Sequence, residues 1–203
     1  MKYLCQLDYP YFLYPTDTDK PDDVRLERRK YATIKSSGCG ICSAVMMADR
    51  LLIDPQFGLK EATELSYACG GNHAPGTDYK VYGPALAEKL NLKYEGTNDP
   101  ERVLHCLHTG GAVVCNVGGD KKDGSGYIGV FSHGGHYILA IAQQEDGRIV
   151  VLDPSQKPGK FDEPGREGKV EEHGPFCLTE LQTLVDDCSN RDPGFHCFWR
   201  KYE

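Results

Sequence analysis

The chain of 203 residues has no long apolar run. The longest covers residues 137–142, far short of the ~20 apolar residues that a membrane-crossing helix needs. It has no excess of positive charge either: Lys and Arg number 23 against 30 Asp and Glu, for a net charge of -7. An acidic chain lacks the electrostatic footprint for nucleic acid or an anionic membrane, so neither is expected as a partner. No secretory pattern opens the sequence. Lys2 precedes only a short apolar stretch broken by Gln6, Asp8 and Pro10, with no small-residue cleavage site, and a cytoplasmic location is the expectation. There is no internal repeat. Nor is there a recurring short cysteine spacing, and the nine cysteines are an odd number, which excludes a framework pairing all of them. Most sit in apolar runs, such as Cys106, Cys115 and Cys197, where a free thiol packs as a small hydrophobe.

What remains is a globular composition, with 39% hydrophobic and 26% charged residues. At this length one domain, residues 1–203, buries roughly 70% of its unfolded surface. Within it, residues 1–38 read as a polar, turn-rich N-terminal extension, 39–110 as mainly helical and 111–203 as mainly sheet. This order argues an α+β fold.

The spacing of Ile41, Ala44, Val45, Ala48, Leu51 and Leu52 predicts a helix over 39–53, ended by Asp54-Pro55. Further helices are predicted over 59–69 and 83–90, and one starting at Asp99-Pro100, a cap followed by a first-turn proline. A short strand is expected at 92–94 and longer ones at 112–117, 136–143, 148–152 and 195–202. Both faces of 136–143 are apolar, so this strand is expected at the centre of its sheet. Thr179-Glu180-Leu181-Gln182 reads as a capping box opening a helix to Cys188. Residues 155–174, charged and rich in Gly and Pro, read as an exposed, mobile excursion.

The candidate chemistry begins at Cys39, the first residue of the first predicted helix. Unsatisfied N–H groups and the helix dipole there favour thiolate, the nucleophilic form. Gly38 and Gly40 on either side would let a substrate backbone approach. Nucleophilic cysteine chemistry needs an imidazole to take the thiol proton and a third group to orient that imidazole. His136 heads the most hydrophobic strand and Asp153 ends the next. A buried strand rarely takes such residues at its end without a partner. A four-residue loop, 144–147, would pair Gln143 with Arg148 and Ile138 with Asp153. His136 would then be the diagonal neighbour of Asp153 on the same face, about 7–8 Å away between Cβ atoms. A three- or five-residue loop would put them on opposite faces.

Thr33-Ile34-Lys35-Ser36-Ser37-Gly38-Cys39-Gly40, then Ala44 and Met46, Phe131-Ser132-x-Gly134-Gly135-His136-Tyr137 and Asp153-Pro154-Ser155 occur in that order. Together they resemble the bacteriocin-processing (double-glycine) peptidase-like family of papain-like cysteine peptidases. The resemblance spans roughly residues 33–155. It implies a papain-like fold with the nucleophile at the start of a central helix packed on a twisted antiparallel sheet. It further implies Cys39 as nucleophile, His136 as general base and acid and Asp153 as orienting carboxylate. The expected activity is hydrolysis of an amide or peptide bond through a thioester, on a peptide or small amide substrate, with no cofactor and no metal. The Cys39 N–H would hold the oxyanion together with one upstream donor. Many relatives place Gln about six residues before the cysteine; here that position is Thr33, with Tyr31 as a second candidate. Cys42 stands where such relatives commonly carry a small hydroxyl residue.

Other readings compete. Cys39-Gly40-Ile41-Cys42 is a CxxC at a helix start, the signature of thiol-disulfide exchangers. Cys39, Cys42, His133 and His136 are four residues of zinc-ligand type. A papain-fold acyltransferase or a binding module that cleaves nothing would carry the same triad. His73, His105, His108, His173 and His196 read as surface or packing residues, His133 as a loop residue near the cleft and Trp199 as core. The Gly-rich loops 70–78 and 118–132 are expected as cleft walls.

Overall fold

The computed structural model, which describes residues 1–73 and 76–201, is built on a seven-stranded sheet whose ladders are all antiparallel. In chain order the elements are a 3-10 turn at Gln6–Asp8, then α1 (Glu27–Lys30), α2 (Ile34–Ser37), α3 (Cys39–Arg50), α4 (Leu59–Ala68) and α5 (Tyr79–Lys89). β1 (Leu92–Thr97), α6 (Pro100–His108), β2 (Ala112–Val117), β3 (His136–Gln143) and β4 (Ile149–Leu152) follow. The chain closes with β5 (Val170–His173), β6 (Phe176–Thr179), α7 (Leu181–Cys188) and β7 (Phe195–Arg200). This is the expected α+β class. The strand order is β1-β7-β2-β3-β4-β6-β5, so the doubly apolar β3 is the central strand.

Alternation along the central strands divides the core in two. Val114, Leu139 and Leu152 face the helical layer of α3, α4 and α5. Val113, Cys115, Ile138, Ala140 and Val151 face the opposite layer with α6 and α7. Each such buried aliphatic contributes about 1.5–3 kcal/mol relative to exposure. α3 packs across β3 and β2 with residues 40–48 all buried, which places its first turn over the start of β3. The first 38 residues are built into this layer, since Leu4, Tyr14 and Ile34 belong to the same cluster as α3.

Several sequence expectations shift. α5 begins at Tyr79, four residues before the expected start. Asp78 caps it by accepting the Lys80 N–H, and fully buried Tyr79 and Tyr82 anchor its first turn. Gly83 and Pro84, expected at the start of this helix, lie inside it. The 179–182 capping box does not form. Thr179 belongs to β6 and gives its hydroxyl to the Lys169 carbonyl, leaving Glu180 before α7 without a side-chain cap. Residues 155–174 are not simply exposed: Lys160, Phe161 and Arg166 are buried, and β5 closes the segment. Trp199 is at the rim of the core, its indole N–H on Thr109 Oγ1. Residue 202 of the strand expected over 195–202 lies outside the described residues, as do 74 and 75 of loop 70–78.

The β3–β4 hairpin reaches its register by an unexpected route. Gln143 pairs with Ile149, not Arg148, and the Gln144 N–H bonds the Arg148 carbonyl. This connection alone would reverse the facing of everything beyond it. A β-bulge between Ala140 and Ala142 takes up the extra residue, and Ala140 pairs with Val151 and Leu139 with Leu152. Continued by one step, this register would set Ile138 opposite Asp153, just past the end of β4. The bulge therefore restores the expected relation between His136 and Asp153.

The Gly-rich loop 118–132 is pinned from below. The buried carboxylate of Asp187 accepts the N–H groups of Val130 and Phe131 and the Tyr127 hydroxyl at 2.7–3.1 Å. Asp187→Ala leaves these donors without their acceptor, at about 1–3 kcal/mol for each that stays dry. Urea unfolding of this variant is expected to show at least ~2 kcal/mol of lost stability, with an Asp187→Asn replacement intermediate.

Candidate active site

Three elements bring the three sequence-predicted residues together. Cys39 is the first residue of α3, His136 the first of β3 and Asp153 follows the end of β4. Asp153 is 0% exposed and His136 6%. His136 Nε2 lies 2.8 Å from Asp153 Oδ1 and 3.0 Å from Ser155 Oγ. An ionised carboxylate only accepts, so Nε2 carries the proton. Nδ1 is then the ring nitrogen left free for the Cys39 thiol, and both side chains line one cleft.

The carboxylate is enclosed by donors. Asp153 Oδ1 also accepts the Ser155 N–H at 2.8 Å and the Ser155 hydroxyl at 3.1 Å, while Oδ2 takes the ammonium of Lys160. Lys160 is 4% exposed and also reaches Ser155 Oγ at 2.7 Å. Its carbonyl is in turn held by the buried guanidinium of Arg166, whose Nε bonds the Gly129 carbonyl. Behind the site, the Tyr3 hydroxyl donates to the Asp153 carbonyl at 2.8 Å and the Gln6 N–H to the Pro154 carbonyl at 2.7 Å. The N-terminal segment thus fixes the backbone that carries the carboxylate.

Burial would raise the Asp153 carboxyl, but its bonds to His136 and the charge of Lys160 outweigh this and hold it far below the usual carboxylate range. Burial would lower His136, yet the hydrogen bond and charge of Asp153 carry it up to about 9. Burial likewise opposes ionisation of Cys39. The hydrogen bond and charge of His136, with the backbone around Tyr137 and Gly40, turn the balance and lower it. A depressed thiol beside an elevated imidazole favours the thiolate–imidazolium form of the pair.

Cys39 and His136 open onto a cleft of about 290 Å³ whose other walls include Ser37, Thr77, Asp78 and Arg191. Loop 70–78 does form a wall. Loop 118–132 contributes none of the cleft-lining residues among those described; it lies on the other layer, under the hold of Asp187. The glycines beside Cys39 serve packing rather than substrate approach. A Cβ on Gly38 would come within 2.7 Å of the Ile34 backbone, and one on Gly40 within 2.9 Å of Thr77. Thr33 and Tyr31 are not in the cleft lining. Thr33 is the N-cap residue of α2, its N–H bonded to Ser36 Oγ, and Tyr31 is 72% exposed.

The zinc constellation does not assemble among the described residues. Cys42, one turn along α3 from Cys39, is fully buried in the core layer, and burial pushes its thiol well up. His133 is exposed and holds Asp120 through Nδ1 at 3.0 Å and Glu163 through Nε2 at 2.8 Å, outside the cleft lining. Among the described residues, one group brings three possible ligand atoms within 4.8 Å: Asp17, Asp19 and His73. His196 is a packing residue, buried among Tyr79, Tyr94 and Tyr137, and burial lowers it to about 3. Lys160 and Arg191 are the site residues that sequence reasoning missed. Lys160 lies in a Gly/Pro-rich charged stretch that reads as solvent-facing, and Arg191 in a short link after a helix. Neither position carries a local signal.

No family model and no curated protein matches the sequence. Among solved structures, the chain is similar to a candidate C39-like peptidase from Bacillus anthracis at a TM-score of 0.55 and 10% identity, over 83% of this chain and 91% of that one. This likeness shows the fold: a mixed arrangement of helices and antiparallel sheet of the C39-peptidase-like kind. Among the described residues, no helix is long and apolar enough to cross a membrane.

The buried charges predict linked stability. Lys160→Met leaves Asp153 short of a counter-charge and is expected to lose about 3 kcal/mol by urea unfolding near pH 7. Combined with Asp153→Asn, the loss falls short of the sum of the single variants by more than about 1 kcal/mol, the sign of direct coupling. The pH dependence has two edges. Asp153, depressed when folded, adds stability above the ordinary carboxylate pKa of about 3.9 that is lost as pH falls through its folded pKa. His136, elevated when folded, adds stability fully present below about 6.5 and lost as pH rises through about 9. Unfolding midpoints from pH 3 to 10 read the onset of the acid edge and the alkaline edge, and His136→Ala is expected to flatten the alkaline one.

Proposed function

We propose that this protein is a cysteine hydrolase that cleaves a peptide or amide bond through Cys39, His136 and Asp153. The observation that carries this reading is Cys39 at the head of α3 lining one cleft with His136, whose Nε2 lies 2.8 Å from the buried Asp153 carboxylate. Similarity of fold to a candidate C39-like peptidase supports the same reaction class.

In this mechanism the thiolate of Cys39 attacks the scissile carbonyl carbon. The carbonyl electrons move onto oxygen, and the N–H groups of the first turn of α3, which have no partner within the helix, stabilise that charge. Thr33 and Tyr31 stand outside the cleft lining, so we assign the first oxyanion donor to the Cys39 N–H. The tetrahedral intermediate collapses by expelling the amine, which takes the Nδ1 proton of His136 and leaves a thioester on Cys39. His136, neutral again, removes a proton from water as the water attacks the thioester. The acid product leaves and the thiolate–imidazolium pair is restored. Asp153 keeps the Nε2 proton on His136 and the ring turned toward Cys39. Lys160 and Ser155 keep Asp153 ionised and in place.

The test is selective alkylation followed by hydrolysis. Iodoacetamide near neutral pH is expected to modify Cys39 before the other eight cysteines, as read by peptide mass mapping. Equal labelling of Cys39 and other cysteines overturns the assignment. The alkylation rate should rise as pH climbs through the depressed Cys39 pKa. Hydrolysis of a mixed fluorogenic peptide set should fall again above pH about 9, where His136 loses its proton. Cys39→Ala is expected to abolish turnover and His136→Ala to reduce it about 10²–10⁴-fold. Cys42→Ser should leave turnover largely intact, since its side chain packs in the core; loss of turnover there would favour disulfide exchange.

A further inference from the structure

The mechanism leaves one cationic side chain of the cleft, Arg191, unused. Arg191, in the link between α7 and β7, lines the same cleft as Cys39 and His136. Among the described residues its guanidinium makes no hydrogen bond and no ion pair, and its Nε is buried without a partner. The backbone is held in place, with the Arg191 N–H on the Cys188 carbonyl at 2.9 Å at the end of α7. The guanidinium lies against Gly135, the residue before His136: a Cβ there would sit 2.7 Å from Nη2. The nearby carboxylate, Asp78, is turned to capping α5. An always-charged planar fork, with a buried donor unsatisfied, is therefore presented to the cleft beside the imidazole.

We propose that Arg191 binds a substrate carboxylate, so that the cleft selects substrates with a carboxylate on the leaving-group side of the scissile bond. This rests on the Cys39–His136 reading above. His136 delivers its proton to the leaving amine, so a group beside His136 meets the part of the substrate that departs. A guanidinium matches a carboxylate with two parallel N–H···O bonds, and such charge-assisted pairs are the strong ones. The carboxylate is either the α-carboxylate of a C-terminal residue or an acidic side chain just after the cleaved bond. The overall acidic charge of the chain, -7, gives no hint of this. The selectivity comes from one unpaired cation held at the reacting centre.

The experiment measures protection of Cys39 from iodoacetamide, a neutral reagent, by three competing ligands. These are N-acetyl-dialanine as its free acid, N-acetyl-dialanine amide, and the amide in which the second residue is glutamate. At least one of the two carboxylate-bearing ligands is expected to protect Cys39 at a concentration about tenfold below the neutral amide. Protection by the free acid identifies an α-carboxylate, and protection by the glutamate amide an acidic side chain. In Arg191→Met the advantage of the acidic ligand disappears, and Arg191→Lys, which keeps charge but not the fork, retains part of it. Equal protection by acidic and neutral ligands in the unaltered protein overturns the proposal, as does an undiminished advantage in Arg191→Met. Thermal melts establish that the variants fold. If Cys39 of the unaltered protein is not selectively alkylated at all, the Cys39–His136 reading fails and this inference falls with it.

Discussion

The carboxylate of Asp153 is the charge around which the site is organised. A carboxylate with 0% exposure is tolerated only when paired and fully hydrogen-bonded. Here His136, Ser155 and Lys160 supply the donors, and each comes at a structural cost. Lys160 must itself be buried, so its backbone is held by Arg166, and Arg166 is tied to the Gly129 carbonyl. The 155–169 segment is therefore folded inward and joined to the loop preceding β3. The N-terminal segment closes the other side through Tyr3 and Gln6. One buried charge thus couples four segments far apart in sequence.

The same network biases the protonation of Cys39 and His136. Lys160 answers the charge of Asp153, and Asp153 answers that of His136. In the proposed mechanism His136 in turn answers the ionised thiol of Cys39, giving alternating charges along one path. Such alternation keeps the total near zero in a place where water does not screen it, which would let thiolate and imidazolium coexist. Arg191 stands outside this balance. Its charge has no answer among the described residues, and the substrate is the natural source of one.

Much of the architecture was legible because hydrophobic periodicity reports burial directly. The α3 stripe and the double apolarity of β3 correspond to packing against one layer and two. Terminus signals were less uniform. Asp99-Pro100 opened a helix as expected, while Thr179 was taken by the sheet before it could cap α7. The first turn of α5 lies ahead of the helix expected over 83–90 and is anchored by two buried tyrosines, Tyr79 and Tyr82. The glycines at 38 and 40 also meant something other than their local reading. They mark close packing on Ile34 and Thr77, contacts from a turn and a loop whose approach no local pattern announces.

By itself, the sequence determined the α+β class, the central place of β3 and the three candidate residues Cys39, His136 and Asp153. Those features follow from periodicity and from the cost of placing polar groups at the ends of apolar segments. Only the tertiary structure decided that His136 and Asp153 share a face. The five-residue connection at the hairpin would have separated them had the bulge near Ile141 not restored the parity. Only the tertiary structure, too, removed Thr33 and Tyr31 from the cleft lining and brought Lys160 and Arg191 to the site. A long charged side chain carries no periodic mark of its partner. Whether it is solvated, buried against a carboxylate or left open to a ligand depends on which distant segment folds beside it.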